Sequence, residues 1–279
     1  MKHIKYLFIG IIFSIFLTGC LQVSTTVNLN KDGSGTIEEI FVMKTEVINM
    51  MKEFAMAFDS AKTEEFNMFN ETELKEKASD LGEGVVYVSG EKITMDNYEG
   101  FKAVYSFSDI NKLKLNPSPE DKIPYGAELG EVEKEKSAED LLMFNFKKGN
   151  PSSLVINFPK PLLDDKQETE EATEFEDSTF NEQAEQKMIE MFDGMKMALY
   201  FNFKDGIDET NASFVDSSKV TLMEIDFSEI IKNKEVFKKF QGAKPETMEE
   251  FKEVVGDVEG IKIEFKEQIT ITEAQWTKL

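Results

Sequence analysis

Apolar and polar residues alternate along residues 22–29, and a spacing of two predicts a β-strand with one buried face. The turn sequence NKDGSG follows, and residues 36–43 then resume the same alternation. Glycine in such a turn supplies the positive φ angle that a tight hairpin connection requires. The two segments are therefore predicted to pair as an antiparallel hairpin.

Helical spacing, with apolar residues three and four positions apart, follows in two segments. The apolar positions of the first segment, residues 44–61, are Val47, Met50, Met51, Phe54 and Phe58. The second segment, residues 70–82, begins with Asn70 in a position to cap a helix and Glu73 three residues later. Gly82 is expected to end this second helix.

Strand patterns alternate with helical patterns through the rest of the chain. Strands are predicted for residues 84–89, 92–95, 101–107, 141–146, 153–158, 199–203, 207–215, 219–227 and 261–271. Helices are predicted for residues 188–199, from Ser228 onward, and for residues 245–255. The alternation predicts an α+β fold in which antiparallel hairpins and sheets pack with amphipathic helices.

An acidic segment separates the two parts of this pattern. Residues 164–187 contain ten acidic residues against two lysines, and few apolar side chains that could form a core. This composition predicts a flexible acidic linker. The linker would join an α+β part at residues 20–163 to another at residues 188–279, either as separate domains or as one.

The first nineteen residues have the features of a cleaved leader. Lys2 and Lys5 precede an apolar run at residues 6–17. As a helix this run would be about 18 Å long, whereas the hydrocarbon core of a bilayer is about 30 Å thick. It is therefore predicted to be the apolar region of a signal peptide and not a membrane span.

The leader ends in Leu17-Thr18-Gly19-Cys20, which resembles the lipobox of bacterial lipoproteins. The resemblance implies cleavage between Gly19 and Cys20 and a diacylglycerol on the Cys20 thiol. Each buried methylene contributes about 0.8 kcal/mol, so two or more acyl chains, such as palmitate, hold a protein on a membrane. The alternative is an ordinary secretory signal whose apolar region happens to end in cysteine.

The lipobox also implies a location. The chain is expected to be extracytoplasmic and anchored by lipid to a bacterial membrane. No Asp follows Cys20, where Leu21 stands instead. By the known sorting pattern of lipoproteins, this implies the periplasmic face of the outer membrane if the host has two membranes.

The composition excludes several classes of function. The formal net charge is −22, and every basic residue is lysine, so nucleic acid is not an expected partner. The only histidine is His3, in the leader, and the only cysteine is Cys20. The mature chain would therefore lack Ser-His-Asp and Cys-His catalysis, Cys/His zinc sites and disulfides. No cofactor and no catalytic residue are predicted.

The NKDGSG turn matches the start of a calcium-binding EF-hand loop. Asn30, Asp32, Ser34 and Glu38 occupy positions one, three, five and nine of such a loop. Position twelve, which needs a bidentate glutamate, is Phe41, and a strand pattern precedes the loop instead of a helix. The turn is therefore predicted to be a hairpin connection, and the four residues are retained only as weak metal-site candidates.

Adjacent acidic pairs suggest a remote alternative, a hydrolase that uses two carboxylates. Examples are Glu38-Glu39, Asp164-Asp165, Glu170-Glu171 and Glu249-Glu250. Neighbouring side chains in a strand point to opposite faces, and so many acidic residues produce such pairs by chance. An enzyme is therefore not predicted.

Methionine is concentrated in the helical segments at residues 44–61 and 188–199. Because methionine is flexible and polarizable, it is common at adaptable apolar binding sites. A candidate apolar groove for an acyl chain or an apolar partner segment consists of Met50, Met51, Phe54, Phe58, Met188, Met191, Phe192 and Met195. The favoured alternative is that these side chains pack on the sheets as ordinary core.

Two segments carry a resemblance to known proteins. The DGSG hairpin after Cys20 and the late segment IDETNASFVDSSKVTLMEIDF together resemble uncharacterised bacterial lipoproteins, and distantly the mycobacterial LppM-type lipoprotein domain. The resemblance covers about 50 residues and implies an α/β module that handles lipid-like ligands. The chain departs from that type because no transmembrane helix follows Trp276.

The expected function is that of a membrane-anchored lipoprotein of the cell envelope with a non-catalytic binding role. Its partners would be the membrane, through the N-terminal lipid, and either a lipid-like ligand or an envelope protein. The alternative is a structural or assembly scaffold without a small-molecule ligand.

Overall fold

A computed structural model of the chain describes residues 21–49, 52, 68–95, 97–117, 140–159, 194–233, 235–236, 252–253, 255–256 and 258–273. Strands dominate this part of the chain and helices are short, so the fold is mixed α+β with β predominant. The leader, the whole of the predicted acidic linker and most of the predicted first helix lie outside the described residues.

The elements follow the chain in this order. They are β1 (Leu21–Leu29), β2 (Gly35–Lys44), α1 (Glu71–Lys77), β3 (Val86–Met95), β4 (Tyr98–Phe107), a 3₁₀-helix (Ile110–Lys112), β5 (Met143–Lys147), β6 (Ser153–Asn157), β7 (Lys196–Phe203), β8 (Ile207–Thr210), β9 (Val215–Asp216), β10 (Lys219–Asp226), α2 (Phe227–Lys232), β11 (Ile261–Ile263) and β12 (Gln268–Glu273).

The larger sheet has eight strands, in the order β11-β10-β7-β1-β2-β4-β3, with β9 paired to β10. The predicted β1–β2 hairpin is confirmed, and the pair is antiparallel from Leu21 opposite Met43 to Leu29 opposite Gly35. On its other side β1 pairs with β7 in parallel, although the two strands are far apart in sequence. β1 is therefore a central strand, and it joins early and late parts of the chain.

The smaller sheet has four strands in the order β5-β6-β12-β8. The predicted hairpin of β5 and β6 is confirmed. The prediction of one closing strand at residues 261–271 is wrong, because β11 belongs to the larger sheet and β12 to the smaller. Glu264 lies in the segment that passes from the larger sheet to the smaller one. Its buried carboxylate accepts a 2.6 Å hydrogen bond from the Ser213 N–H, which connects this segment to the residues after β8.

The two sheets share one hydrophobic core. The inner face of the larger sheet and the smaller sheet meet, and the rings of Phe201 on β7 and Phe144 on β5 lie 5.8 Å apart. Buried residues of this core include Val27, Leu29, Ile37, Leu154, Ile156, Leu199, Phe203, Ile269 and Ile271. Burial of such side chains contributes about 25 cal/mol per Å² of apolar surface, which favours pairing of strands that are distant in sequence.

Helix α1 packs on the inner face of the larger sheet near β3. Its predicted cap is confirmed, because the Asn70 side chain accepts a hydrogen bond from the Thr72 N–H and donates one to Glu73. Leu74 is buried beneath the helix. Gly82 follows with a φ of 136°, a conformation that glycine adopts without a Cβ clash.

Two further predictions need correction. The helical prediction for residues 188–199 is wrong at its C-terminal end, since β7 begins at Lys196. Met197 and Leu199 are buried with Phe201 and Phe203, so period-two alternation decides this segment. The strand patterns at residues 84–89 and 92–95 form one strand, β3, with an irregularity between Tyr87 and Ser89.

Candidate functional site

The predicted lipid attachment site directly precedes the folded structure. Cys20 and Gly19 lie outside the described residues, but the next residue, Leu21, already belongs to β1. Within the ranges that the structure describes, no helix is long and apolar enough to cross a membrane. An anchor at Cys20 would therefore act on the central strand of the larger sheet without an intervening linker.

The structure describes one residue of the predicted Met/Phe groove. Met195 is half-buried immediately before β7, where its carbonyl oxygen accepts a hydrogen bond of 3.0 Å from the Phe227 N–H. The remaining seven groove residues lie outside the described residues. The groove itself thus stays a prediction.

A narrow crevice lies on the inner face of the larger sheet, beside Lys77 of helix α1. The space that it leaves open to a water-sized molecule is about 10 Å³, which is room for about one water molecule. The lining residues are Val23, Thr25, Glu39, Ile40, Phe41, Lys77 and Phe101. Strands β1, β2 and β4 form the floor, and Lys77 of helix α1 forms the rim. Three side chains of the floor are large and apolar, and a polar pair faces them.

The polar pair of the crevice is unusual for the inner face of a sheet. Glu39 is 6% exposed and forms an ion pair of 2.8 Å with Lys77. Thr25, the Cα partner of Glu39 on β1, is fully buried. Burial, followed by the charge of Glu39, raises the pKa of Tyr105 on the neighbouring strand β4. Apolar walls with one convergent polar pair are typical of a site for an amphipathic group.

The sequence contains a signal for this crevice, because polar residues interrupt two apolar strand faces. Thr25 interrupts the inward-facing series of β1 between Val23 and Val27. Glu39 interrupts the inward-facing series of β2 between Ile37 and Phe41. A polar residue at a position whose period-two neighbours are buried must be paired or hydrogen-bonded, which marks it as a structural or binding group.

The NKDGSG turn brings three of the four weak metal candidates together. Asp32 accepts hydrogen bonds from the Ser34 hydroxyl at 2.6 Å and the Ser34 N–H at 3.1 Å, and Asn30 donates to Ser34. The hydrogen bonds from Ser34 hold the pKa of Asp32 below its ordinary value. Gly33 has a φ of 87°, as a tight turn requires. The prediction of a hairpin turn is confirmed.

Glu38, the fourth metal candidate, has another partner. Its carboxylate forms an ion pair of 2.8 Å with Lys102 on β4. Its neighbour Glu39 pairs instead with Lys77, so the two adjacent carboxylates serve different partners. Among the described residues, no group of three or more His, Cys, Asp or Glu side chains is arranged to hold a metal ion. The other three acidic pairs lie outside the described residues.

A second buried polar pair, Ser152 and Glu273, lies at the start of β6 and the end of β12. The Ser152 hydroxyl donates a hydrogen bond to Oε2 of Glu273, and both residues are 1% exposed. The other carboxyl oxygen of Glu273 is buried with no partner within the described ranges. Burial raises the pKa of Glu273 above its ordinary value of 4.5, and nearby Asp205 adds to the increase while Ser152 and Lys31 oppose it.

We expect Glu273→Gln to reduce the loss of stability that the protein shows as pH rises. The native state keeps a proton on Glu273 at pH values where the unfolded chain has released it, so the free energy of unfolding falls as pH rises above about 4.5. The slope is at most about 1.4 kcal/mol per pH unit for one proton. Glutamine cannot ionise and still accepts the Ser152 hydrogen bond.

Urea unfolding between pH 4 and pH 8 measures this effect. The variant should gain on the wild type as pH rises above about 4.5, and the gain should level off once the carboxyl group of the native wild type also ionises. Glu267→Gln, which changes an exposed carboxylate just before β12, is the control and should follow the wild type. Equal pH slopes for Glu273→Gln and the wild type would show that Glu273 ionises normally.

Comparison with known proteins identifies no family. No protein-family model matches the chain, and no curated protein matches it significantly. Among solved structures, the NMR structure of the folded domain of the Mycobacterium tuberculosis LppM protein is similar over 94% of this chain and 93% of that chain. The sequence identity is 11% and the TM-score is 0.32, so the likeness is weak and distant. The chain thus has a distant structural likeness to LppM and no demonstrated family.

Proposed function

We propose that the protein is an extracytoplasmic lipoprotein, anchored to a bacterial membrane through Cys20, whose folded body has a non-catalytic binding role. The observation that carries the proposal is the Leu17-Thr18-Gly19-Cys20 sequence behind an apolar leader and directly before β1. A cleaved leader removes the only histidine, and acylation uses the only thiol. The chemistry left to the mature chain favours binding over catalysis.

The site proposed for binding is the crevice between helix α1 and the larger sheet. Val23, Phe41 and Phe101 line it with buried apolar side chains, and Glu39 on its floor pairs with Lys77 at its rim. Pockets for drug-sized ligands have volumes of about 300–1,000 Å³. The crevice has room for about one water molecule, so a ligand can enter it only if helix α1 moves away from the sheet. The proposed ligand class is a short acyl chain or one apolar arm of a larger lipid, with its polar group beside Lys77.

Substitution at Thr25 tests this site. Thr25→Ile adds apolar volume at a fully buried position of the crevice, and we expect it to weaken binding of octanoate about tenfold, which corresponds to about 1.4 kcal/mol. Octanoate is titrated against an anilinonaphthalene sulfonate dye bound to the purified lipidated protein, and displacement is followed by fluorescence.

The matched control is Thr26→Ile, which makes the same chemical change one residue further along β1. Thr26 points to the opposite face of the sheet and is only half-buried, so octanoate displacement should be unchanged. Equal affinities of the wild type and both variants would exclude the crevice as the site. Native mass spectrometry of the purified protein then shows whether any lipid co-purifies.

A scaffold role is the second candidate, and the edge of the larger sheet favours it. β3 is an edge strand of ten residues, and Val86 and Val88 are 59% and 55% exposed. An edge strand presents backbone groups to which a strand of another protein can add. A protein that is empty in native mass spectrometry and binds a partner through β3 would support this role instead.

A further inference from the structure

We infer that one end of the larger sheet rests on the surface of the bilayer that carries the Cys20 lipid. This surface, the anchor end, consists of Leu21, Met43, Lys44, Met95 and Tyr98. The inference rests on the proposed lipid anchor and goes beyond it, because an anchor alone does not fix how the folded body is oriented. Its partner is the lipid headgroup region.

Only one peptide bond separates Cys20 from the larger sheet, because β1 begins at Leu21. Consecutive Cα atoms are about 3.8 Å apart, so Leu21 lies within about 4 Å of the Cα of Cys20. Leu21 is already paired with Met43, and Gln22 is paired with Lys196 on the other side. A strand held on both edges cannot serve as a flexible tether. The end of β1 therefore stays at the membrane surface.

The neighbouring strands β2, β3 and β4 place side chains that suit a membrane–water interface at the anchor end. Lys44 is the Cα partner of Tyr98, and Tyr98 is also the partner of Met95. The Thr45 N–H donates a 2.7 Å hydrogen bond to the Asn97 carbonyl, which joins the two hairpins here. Met95 is 50% exposed, and Leu21 and Met43 are partly buried. Tyrosine and methionine side chains suit the boundary between headgroups and acyl chains.

The charge of the protein affects which part of its surface can approach a bilayer. The protein has a formal net charge of −22, so an anionic bilayer repels most of its surface. Two ion pairs lie near the anchor end, Lys196 with Asp226 at 2.7 Å and Lys92 with Glu99 at 3.4 Å. These pairs reduce the electrostatic cost of bringing this end to the bilayer.

The width of the sheet and the length of its strands indicate which parts of the protein would lie far from the membrane. Five adjacent strands, from β7 to β3, span about 19 Å at about 4.8 Å per spacing, which is the width of the anchor end. β1 extends for about 26 Å away from it at about 3.3 Å per residue. The NKDGSG turn and the turn after β5 lie at the far end, since Phe146 of β5 packs against Gly33. These turns would face away from the membrane.

Site-specific fluorescence tests the inference on the full lipidated chain in vesicles of phosphatidylcholine and phosphatidylglycerol. Because the native cysteine is acylated, a single introduced cysteine is labelled uniquely. We compare Met95→Cys at the anchor end with Met143→Cys, which is 61% exposed on β5, and Lys148→Cys in the far turn. A nitrobenzoxadiazole label reports polarity, and headgroup spin-labelled lipid quenches it on contact.

The expected result is a blue shift and loss of most of the emission at position 95, with no quenching at position 148 and little at position 143. Equal quenching at all three positions, or quenching at position 148 alone, would overturn the inference. The intact mass of the protein is measured first. An acylated chain without quenching at position 95 refutes only the orientation, whereas an unmodified Cys20 refutes the proposed anchor.

Discussion

Substitution of Cys20 by serine is expected to move the protein from the membrane fraction to the soluble fraction. Serine cannot form the thioether to diacylglycerol, so the chain would lose the proposed acyl chains. At about 0.8 kcal/mol per buried methylene, their loss removes far more free energy of membrane binding than any surface contact could replace. We expect essentially complete release, measured by fractionation of cells and by intact mass.

The matched control keeps one thiol in the chain but moves it. A Cys20→Ser, Ser24→Cys variant has the wild-type cysteine count, yet residue 24 lies inside β1 and not at the end of the leader. It should be released like the single variant, which separates lipidation at the leader from general thiol reactivity. Retention of Cys20→Ser on membranes after a salt wash would mean that another part of the protein binds them.

Local patterns predicted the elements that local interactions define. The β1–β2 hairpin and the Asn70 cap of helix α1 were predicted because turn glycines and capping side chains act over a few residues. The parallel pairing of β1 with β7 could not be predicted in this way. It depends on the matching of two buried faces that lie 174 residues apart in sequence, as Val23 and Met197 do, and periodicity contains no information on partners.

The wrong helical prediction at the start of β7 shows that helical and strand periodicity can fit the same residues. Met195 and Leu199 are spaced as on a helix, but Met197, Leu199, Phe201 and Phe203 also alternate as in a strand. Four apolar residues that alternate between polar or small ones bury one complete face of a sheet, and the sheet pattern wins where a partner strand is present. The longer run of alternation was the better guide.

Neither buried polar pair could be located from spacing alone. Glu39 and Lys77 lie on a strand and a helix, and Ser152 and Glu273 are 121 residues apart. What the sequence does show is that Glu39 and Glu273 occupy positions on the apolar faces of their strands. Such positions predict that a partner exists, but the partner is chosen by tertiary packing.

Phe41→Ala is expected to lower the free energy of unfolding by about 3–5 kcal/mol. Phe41 is 2% exposed, and its ring stacks on Phe101 with centroids 5.6 Å apart and an interplanar angle of 14°. It also lies beside Val23 of the central strand β1. Truncation leaves a cavity in the middle of the sheet that the paired backbones cannot close. Urea unfolding followed by circular dichroism measures the change.

Two comparisons separate this cost from a general effect of truncation. Phe41→Leu keeps most of the apolar volume and should cost less than half as much. Met143→Ala removes a side chain of similar size that is 61% exposed, and it should change the free energy of unfolding by less than about 0.5 kcal/mol. A loss below about 1 kcal/mol for Phe41→Ala would place the ring outside the core. In that case the crevice beneath helix α1 would lose its apolar wall, and the binding site proposed for it would have no basis.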